Sequence, residues 1–499
     1  MRLLFYNWVD YLDDEARGGG VTIYQRNLIE ALDRRGGVEA VFLSAGISYD
    51  LKQAQPRWEQ VRHGPDRDRN RRYEIVNSGV MAPAHHSFGD PRQIDHPETE
   101  AVFFDFVERT GPYDAVHFNN LEGLPARVLA IKARWPRTRV ILTLHNYYPV
   151  CPQVNLWRQE RATCTDFEGG RACITCLPRR HDPRHLRLAN ALAYRLKCAG
   201  LRPGSRTFDT IFLNAMRVGR HISRLAGLLP RRRSGGRRPA EAAELLYAHR
   251  RAEMVRLINT HCDVVLCVSD AVRRVARHYG IAPGRLATSY IGTAEAGCFA
   301  RTRPRDRFGA PDGTLRLAYL GYMRRDKGFH FLLDALEKLP PEIGSRVHLT
   351  VAARRGPPET MAQLHKVASG LAGLQHFDGY THDDLDTILK RVDLGVVPVM
   401  WHDNLPQVAI EMHARHIPLL TSDMGGAREL GRCPDLVFPA GDAEAFRDRL
   451  QAVLDGRVEP AAYWRNAMAP VDTQAHAEEL LRFYSTAANA MPHKEAVLN

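Results

Sequence analysis

Two carboxylates and two glycines in the last quarter of the chain carry the strongest chemical signal. Asp403 and Glu411 stand with seven residues between them, and Gly425 and Gly426 follow. Leu394–Val399 is a short apolar run bounded by a proline and polar residues, the pattern of a buried strand. A loop with Asp403 and Asn404 at its tip leads into a helix predicted from Pro406 to Arg415, with proline at a tolerated first-turn position. Ile417–Leu420 is a second apolar strand, and Thr421–Gly426 turns into another helix start at Ala427–Leu430. Two strand–loop–helix units therefore aim loop atoms and helix-start amides at one crevice. In a doubly wound sheet that crevice, at the carboxyl ends of the strands, is where ligands bind. Elsewhere, Gly18, Gly19 and Gly20 separate a predicted strand, Leu3–Val9, from a helix over Val21–Arg35. Such glycines let backbone approach a ligand, and the helix start favours anions. His145 ends the strand Val140–Leu144, where it can hydrogen-bond a group in the crevice. After the strand Leu315–Leu320 come Gly321, Arg324, Arg325, Lys327 and Gly328, a cluster of cations.

This stretch resembles the donor-sugar site of family 4 glycosyltransferases, retaining nucleotide-sugar enzymes of the two-Rossmann GT-B fold. Their pattern is Glu-x7-Glu, a helix, a short strand, then Thr-Ser/Asp-x-Gly-Gly-x-x-Glu. Here it reads Asp403-x7-Glu411, then Thr421-Ser422-Asp423-Met424-Gly425-Gly426, with Glu429 three places on. Asp403 is one methylene shorter than the usual first Glu. The resemblance implies that Glu411 binds ribose hydroxyls and that Asp403, Asn404, Leu405, Pro406 and Gln407 hold the sugar and diphosphate. It also implies that Gly19 and Gly20 face the diphosphate across the cleft. His145 would contact the donor sugar and the reaction centre, and Tyr380 would lie near the nucleotide base. Sugars call for carboxylate acceptors and phosphates for backbone N–H groups, which agrees. The family's Gly-Arg-x4-Lys-Gly clamp matches at Lys327-Gly328, but Tyr322 follows Gly321 where Arg is usual. Arg324 or Arg325 is the candidate for the missing cation. The implied reaction transfers a sugar from a nucleotide diphosphate donor to an acceptor with retention. No DxD motif stands out, so no catalytic metal is expected. A GT-B nucleotide-sugar epimerase and a catalytically degenerate binding module are the rival readings.

The elements that must position these residues fill a chain of 499 residues, enough for two or three domains. The expected division is an N-terminal acceptor-side domain over 1–292, a nucleotide-sugar-binding domain over 293–474, and a last helix, 475–499, returning to the first domain. Tyr113–Phe118, Val264–Val268, Ala287–Ile291 and Val347–Ala352 are further predicted strands, and Gln375–Gly379 leads to Tyr380. Helices are predicted around Leu124–Ala133 and over Ala240–Ile258, Ala271–Tyr279 (capped by Ser269) and Phe329–Leu339. Residues 50–100 are polar, and DRDRNRR at 66–72 reads as exposed loop. No apolar run reaches the length of a membrane span, and the N-terminus lacks a signal peptide's pattern. Cytoplasmic localisation is expected, with a peripheral place on the inner face of the membrane as its extension.

About 151–260 lies outside the resemblance and is expected as a basic, helical, cysteine-containing insertion. Cys173-x2-Cys176 has the spacing of half a zinc knuckle, and Cys151 and Cys164 precede it. A structural zinc on these four is the first expectation, ahead of free thiols and an iron–sulfur cluster. Between 178 and 238 sixteen Arg and Lys stand against two Asp, a formal +14 in a chain whose total is +12. The strongly basic character is thus local. Leucine, isoleucine and phenylalanine interleave with the arginines, a pattern open to membrane-surface binding, nucleic-acid binding, an acidic partner or a solvated helical insertion; an anionic membrane surface presenting a lipid-linked or glycan acceptor is the expectation carried forward. RRRSGGRR at 231–238 reads as exposed loop, and no nucleic-acid-binding motif is present.

Overall fold

The computed structural model describes residues 1–15, 17–177, 182–227 and 240–485. Strands β1 (Arg2–Tyr6), β2 (Glu39–Ala45), β3 (Arg57–Gln60), β4 (Arg72–Val76), β5 (Ala115–Phe118) and β6 (Arg139–Leu144) build most of a first sheet. β7 (Trp157–Arg158) and β8 (Ala162–Thr163) form a separate hairpin. β9 (Val264–Cys267) and β10 (Leu286–Thr288) complete an eight-stranded order, β10-β9-β6-β5-β1-β2-β4-β3. Only the edge pair β3–β4 is antiparallel. A second sheet holds β11 (Leu315–Leu320), β12 (Val347–Ala352), β13 (Gly373–Phe377), β14 (Leu394–Val397), β15 (Leu419–Ser422) and β16 (Val437–Phe438). Its order is β13-β12-β11-β14-β15-β16, parallel throughout. These are two Rossmann-like halves of a GT-B fold, the class the sequence led us to expect.

The strands are near-continuous apolar runs because parallel strands are covered on both faces. β11 is buried at five of its six residues and β14 throughout. Strand order reverses between β11 and β14, and in the first sheet between β1 and β5. Crossovers leave on opposite sides there, so loops diverge and open a crevice. The glycine loop after β1, the Lys327 loop after β11 and the Asp403 loop after β14 all begin at those two places. The helix Thr473–Ser485 packs on Gly19–Arg35 of the first half: the Tyr24 hydroxyl meets His476 Nε2 at 2.8 Å, and the Tyr484 hydroxyl meets His117 Nδ1 at 2.7 Å.

Several local expectations shift. The first helix starts at Gly19, with φ +52 there, rather than at Val21. The run before β6 is a 3-10 helix, Ala126–Ala133, broken at Ala130, where a regular helix was expected. The charged stretch 66–72 is not simply exposed loop. Arg72 enters β4 and is buried, its Nε 2.9 Å from Asp10, while its Nη1 donates to both the Pro65 and the Arg67 carbonyls. A buried guanidinium is tolerated when it is paired and hydrogen-bonded in this way.

The connection from β6 to its neighbour β9 carries the insertion. Within it Pro183–Cys198 is a helix capped by Asp182 and started by Pro183. It is not a solvated element: Ala191 and Leu186 pack with Tyr49 and Met81, Lys197 pairs with Glu15 at 3.0 Å, and Arg195 pairs with Asp50 at 3.1 Å. Arg206–Gly227 and Ala240–His261 are the other long helices. The RRRSGGRR stretch lies outside the described residues.

Candidate functional site

The site is assembled where the two sheets' loops meet. Lys327, in the loop after β11, points its ammonium at Asp403, with Nζ 2.6 Å from Oδ2 and 5.2 Å from the Trp401 ring centre. Asp403 and Asn404 are both buried. Their loop leans on the glycine turn: the Gly426 N–H donates to the Asp403 carbonyl at 3.0 Å. Gly425 has φ +75, and a Cβ there would lie 1.9 Å from that same carbonyl oxygen. Glycine is required at 425 on both counts. Short as it is, the Asp403 side chain reaches Lys327, which belongs to the same half of the molecule.

The expected helix 406–415 is observed as Gln407–His413, after Pro406 in an extended conformation. Glu411 lies on its inner face, buried. One carboxylate oxygen, Oε1, is 3.2 Å from His382 Nε2. The other, Oε2, is buried and finds no hydrogen-bond partner among the described residues, and the same holds for the Asn404 side-chain oxygen. A buried acceptor with no donor is costly in water-free surroundings, so these two atoms mark places where a ligand's hydroxyl or amide would be taken up. The hydrogen bond to Glu411 raises the His382 pKa above its ordinary value. Burial, then the charge of Glu411, pushes the Tyr380 phenol up as well, so Tyr380 stays a neutral donor. Tyr380 thus stands beside Glu411, with Thr381 and Asp384 forming the capping box that starts the next turn.

From the other half come Gly20, whose carbonyl accepts from Gln407 Nε2 at 2.8 Å, and the end of β6, where the Leu144 carbonyl is 3.4 Å from Asn404 Nδ2. His145 stands next, its ring 4.9 Å from that of Tyr24 and its Nε2 3.3 Å from Asn119 Oδ1. Burial, with the neighbouring His476, pushes its pKa down to about 3. At neutral pH His145 therefore offers a hydrogen bond and no charge. Arg324 is turned to Asp326, with Nε 2.9 Å from Oδ1, and both Arg324 and Arg325 are exposed.

Sequence reasoning missed three contributors. His382 had no signal beyond its place two residues after Tyr380. Trp401 is one of six tryptophans, and nothing local marks it. Ser269 was expected as a helix cap, and its hydroxyl does accept from the Val272 N–H at 3.3 Å, but it also donates to the Asn404 carbonyl at 2.6 Å.

The four insertion cysteines come into one neighbourhood. Cys151 ends a turn against Tyr147, β7 and β8 carry the chain to Cys164, and Arg171–Ile174 brings Cys173 toward Cys176. Cys176 Sγ donates to Gln153 Oε1 at 3.0 Å, which ties it to the Cys151 turn. Burial first, and the neighbouring thiols after it, push Cys173 up to about 12 and Cys176 up to about 11. No disulfide links them. Among the described residues, the trio of ligand atoms within 4.8 Å of one another is Asp13, Asp14 and Glu15 rather than any three of these sulfurs.

Residues 314–456 match the family model described as Glycosyl transferases group 1. That span contains Lys327, Tyr380, the 403–407 loop, Glu411, Gly425 and Gly426. No curated protein matches the chain. Its fold is similar to sucrose-phosphate synthase (tll1590) from Thermosynechococcus elongatus, at 15% identity and TM-score 0.53, over 97% of this chain and 98% of that one. It is similar to Anabaena Alr3699/HepE in complex with UDP, at 13% identity and TM-score 0.52, over 97% and 99% of the two chains. The lipopolysaccharide outer core galactosyltransferase WaaB in its apo form aligns at 11% identity and TM-score 0.54, over 97% and 99%. At these identities the likeness is one of fold. The second half of this GT-B fold is thus the part that is similar to the group 1 glycosyl transferase model.

Proposed function

We propose that this protein transfers a sugar from a nucleotide diphosphate donor to an acceptor, with retention at the anomeric carbon. The observation that carries the reading is the buried Oε2 of Glu411 without a hydrogen-bond partner, together with the Asn404 side-chain oxygen in the same state and the Lys327 cation held on Asp403 of the same loop. Ribose hydroxyls would donate to Glu411, and the sugar would lie along 403–407. In the reaction the bond from the anomeric carbon to the diphosphate oxygen breaks. A bond from the acceptor oxygen forms on the same face, and the acceptor's proton passes to the departing phosphate. No carboxylate nucleophile or metal is needed on this route. Lys327, one of Arg324 and Arg325, and the Gly19–Gly20 amides offset the charge that develops on the diphosphate. We assign the donor to the 293–474 half and the acceptor to the 1–292 half. The neighbour solved with UDP makes UDP the first nucleotide to try. A thermal-shift series with UDP-, GDP- and ADP-sugars should show one nucleotide raising the melting temperature by mass action. Product NMR on transfer to an acceptor then reads the anomer. No stabilisation by any nucleotide and no transfer would overturn the reading, and sugar release or epimerisation indifferent to acceptor would replace it with the epimerase.

The acceptor we propose is presented at an anionic membrane surface. No helix among the described residues is long and apolar enough to cross a membrane. Of the eight large apolar side chains exposed among them, five (Leu188, Ile211, Leu213, Val218 and Leu245) lie within the insertion, beside its excess of arginine. Contacting cations contribute about 1 kcal/mol each at such a surface and are screened by salt. Co-sedimentation should therefore be strong with anionic vesicles, weak with neutral ones, and lost at high salt or on deleting 178–238. Binding indifferent to lipid charge refutes it.

A structural zinc on Cys151, Cys164, Cys173 and Cys176 is the second proposal. The donor set fits: four thiols, two at CxxC spacing, from three segments that converge. Zinc would draw the sulfurs in to bonds of about 2.3 Å and supply folding energy to an insertion with little core of its own. Metal analysis of protein purified without added metal should give one zinc per chain, and four titratable thiols without zinc exclude it.

A further inference from the structure

Glu429 belongs to the short helix Arg428–Gly431 of the second half, yet its carboxylate is spent on the first half. The Asp270 N–H donates to Oε2 at 2.9 Å and the Ala271 N–H to Oε1 at 2.6 Å, so both oxygens cap the start of the nine-residue helix Asp270–His278. The Tyr290 hydroxyl donates to Oε2 at 2.8 Å, and an Arg274 nitrogen lies 3.6 Å from Oε1. The first N–H groups of a helix have no partner within it, and negative charge is favoured there. Here that partner comes from 158 residues further along the chain. Next to it, the Ser269 hydroxyl holds the Asn404 carbonyl. Gly426 fits between them: a Cβ there would lie 2.4 Å from the Asn404 oxygen and 2.7 Å from Ser269 Cβ.

The stretch that bears Glu429 is the one that shapes the 403–407 loop, through the hydrogen bond from Gly426 to Asp403. We infer that Glu429 is a positioning residue: an interdomain latch that holds the two halves closed and fixes the 403–407 loop against the first. Its bearing on turnover rests on the donor reading above, but the latch itself concerns only this chain. Charge-assisted bonds of a carboxylate to two amides and a hydroxyl are among the stronger contacts available. They are set on short segments either side of the cleft, so breaking them frees one half to move against the other.

The test is a distance measurement between nitroxide labels carried by non-natural amino acids at the exposed Lys52 and Glu444, one in each half. Wild-type protein without nucleotide should show a dominant short distance. In Glu429→Ala the ratio of short to long distances should fall about tenfold, within the usual range of coupling between sites. Tyr290→Phe should move it the same way by less, and it removes a single hydroxyl should the alanine variant fold poorly. Distance distributions for Glu429→Ala and Tyr290→Phe that both superimpose on wild type overturn the latch. UDP, added separately, addresses the donor reading. If it neither raises the wild-type melting temperature nor recloses the variants while the apo variants still open, the latch stands and the donor reading falls. If it recloses Glu429→Ala, the latch and the donor loop act on one equilibrium.

Discussion

Lys327→Ala should lower turnover by about 10²–10³-fold, the usual cost of removing one group that stabilises developing negative charge. The reason lies in where the ammonium is held. It sits at the carboxyl end of β11, pinned between the Asp403 carboxylate at 2.6 Å and the Trp401 ring. An alanine also leaves the buried Asp403 carboxylate without its counter-ion, and that penalty could disturb the loop instead of the chemistry. The double variant Lys327→Ala/Asp403→Asn separates the two. It removes the orphaned charge but restores no cation, so turnover should stay low while stability returns toward wild type. Steady-state kinetics with the donor that the thermal-shift series selects will show it. A kcat within twofold of wild type in Lys327→Ala would move the leaving-group contact to another residue, Arg325 first.

The second large effect is on binding. Glu411→Gln keeps the side chain's shape and removes its charge. A hydrogen bond to a charged group contributes about 1.5–3 kcal/mol, so donor affinity should weaken by about 10- to 150-fold. Calorimetry with the nucleotide alone measures it, and kcat at saturating donor should change much less. The variant also releases His382, whose pKa Glu411 raises. The sign follows from that direction: the His382–Glu411 ion pair is complete below the ordinary imidazole pKa and is lost as pH rises through the raised one. In Glu411→Gln that pH dependence disappears. Unchanged affinity would place the ribose elsewhere in the cleft.

Much of this was legible in the sequence, for identifiable reasons. Leu315–Leu320 and Val347–Ala352 are strands with the limits the apolar runs suggest, because a parallel strand buried on both faces leaves an uninterrupted apolar signature. Gly425 and Gly426 were legible through the Gly-Gly pattern of the resemblance, and the structure supplies its cause: φ +75 at Gly425, and at Gly426 a Cβ that would lie 2.4 Å from the Asn404 carbonyl oxygen. What could not be read is pairing at a distance. Nothing near Glu429 shows that its carboxylate caps a helix in the other half, and nothing near His382 shows Glu411. Arg72 illustrates the same limit. Six neighbours of like polarity make it look solvated, and only its approach to Asp10, far back in the chain, reveals a buried ion pair. The break at Ala130 was hidden for another reason: apolar spacing along a 3-10 helix is close to that of a regular one over two turns.

The helix Thr473–Ser485 has a consequence for biosynthesis. Tyr24 and His476 touch across 452 positions of sequence. A ribosome makes the first Rossmann-like half long before it makes the helix that covers Gly19–Arg35. Until then the emerging half exposes the face that Ala477, Leu480 and Tyr484 will bury, and the second half must be synthesised and spaced correctly before the cover arrives. Domains otherwise fold as units in the order they leave the ribosome. Here the first to emerge is among the last to be finished, and the nascent chain carries an uncovered apolar surface through almost the whole of its synthesis.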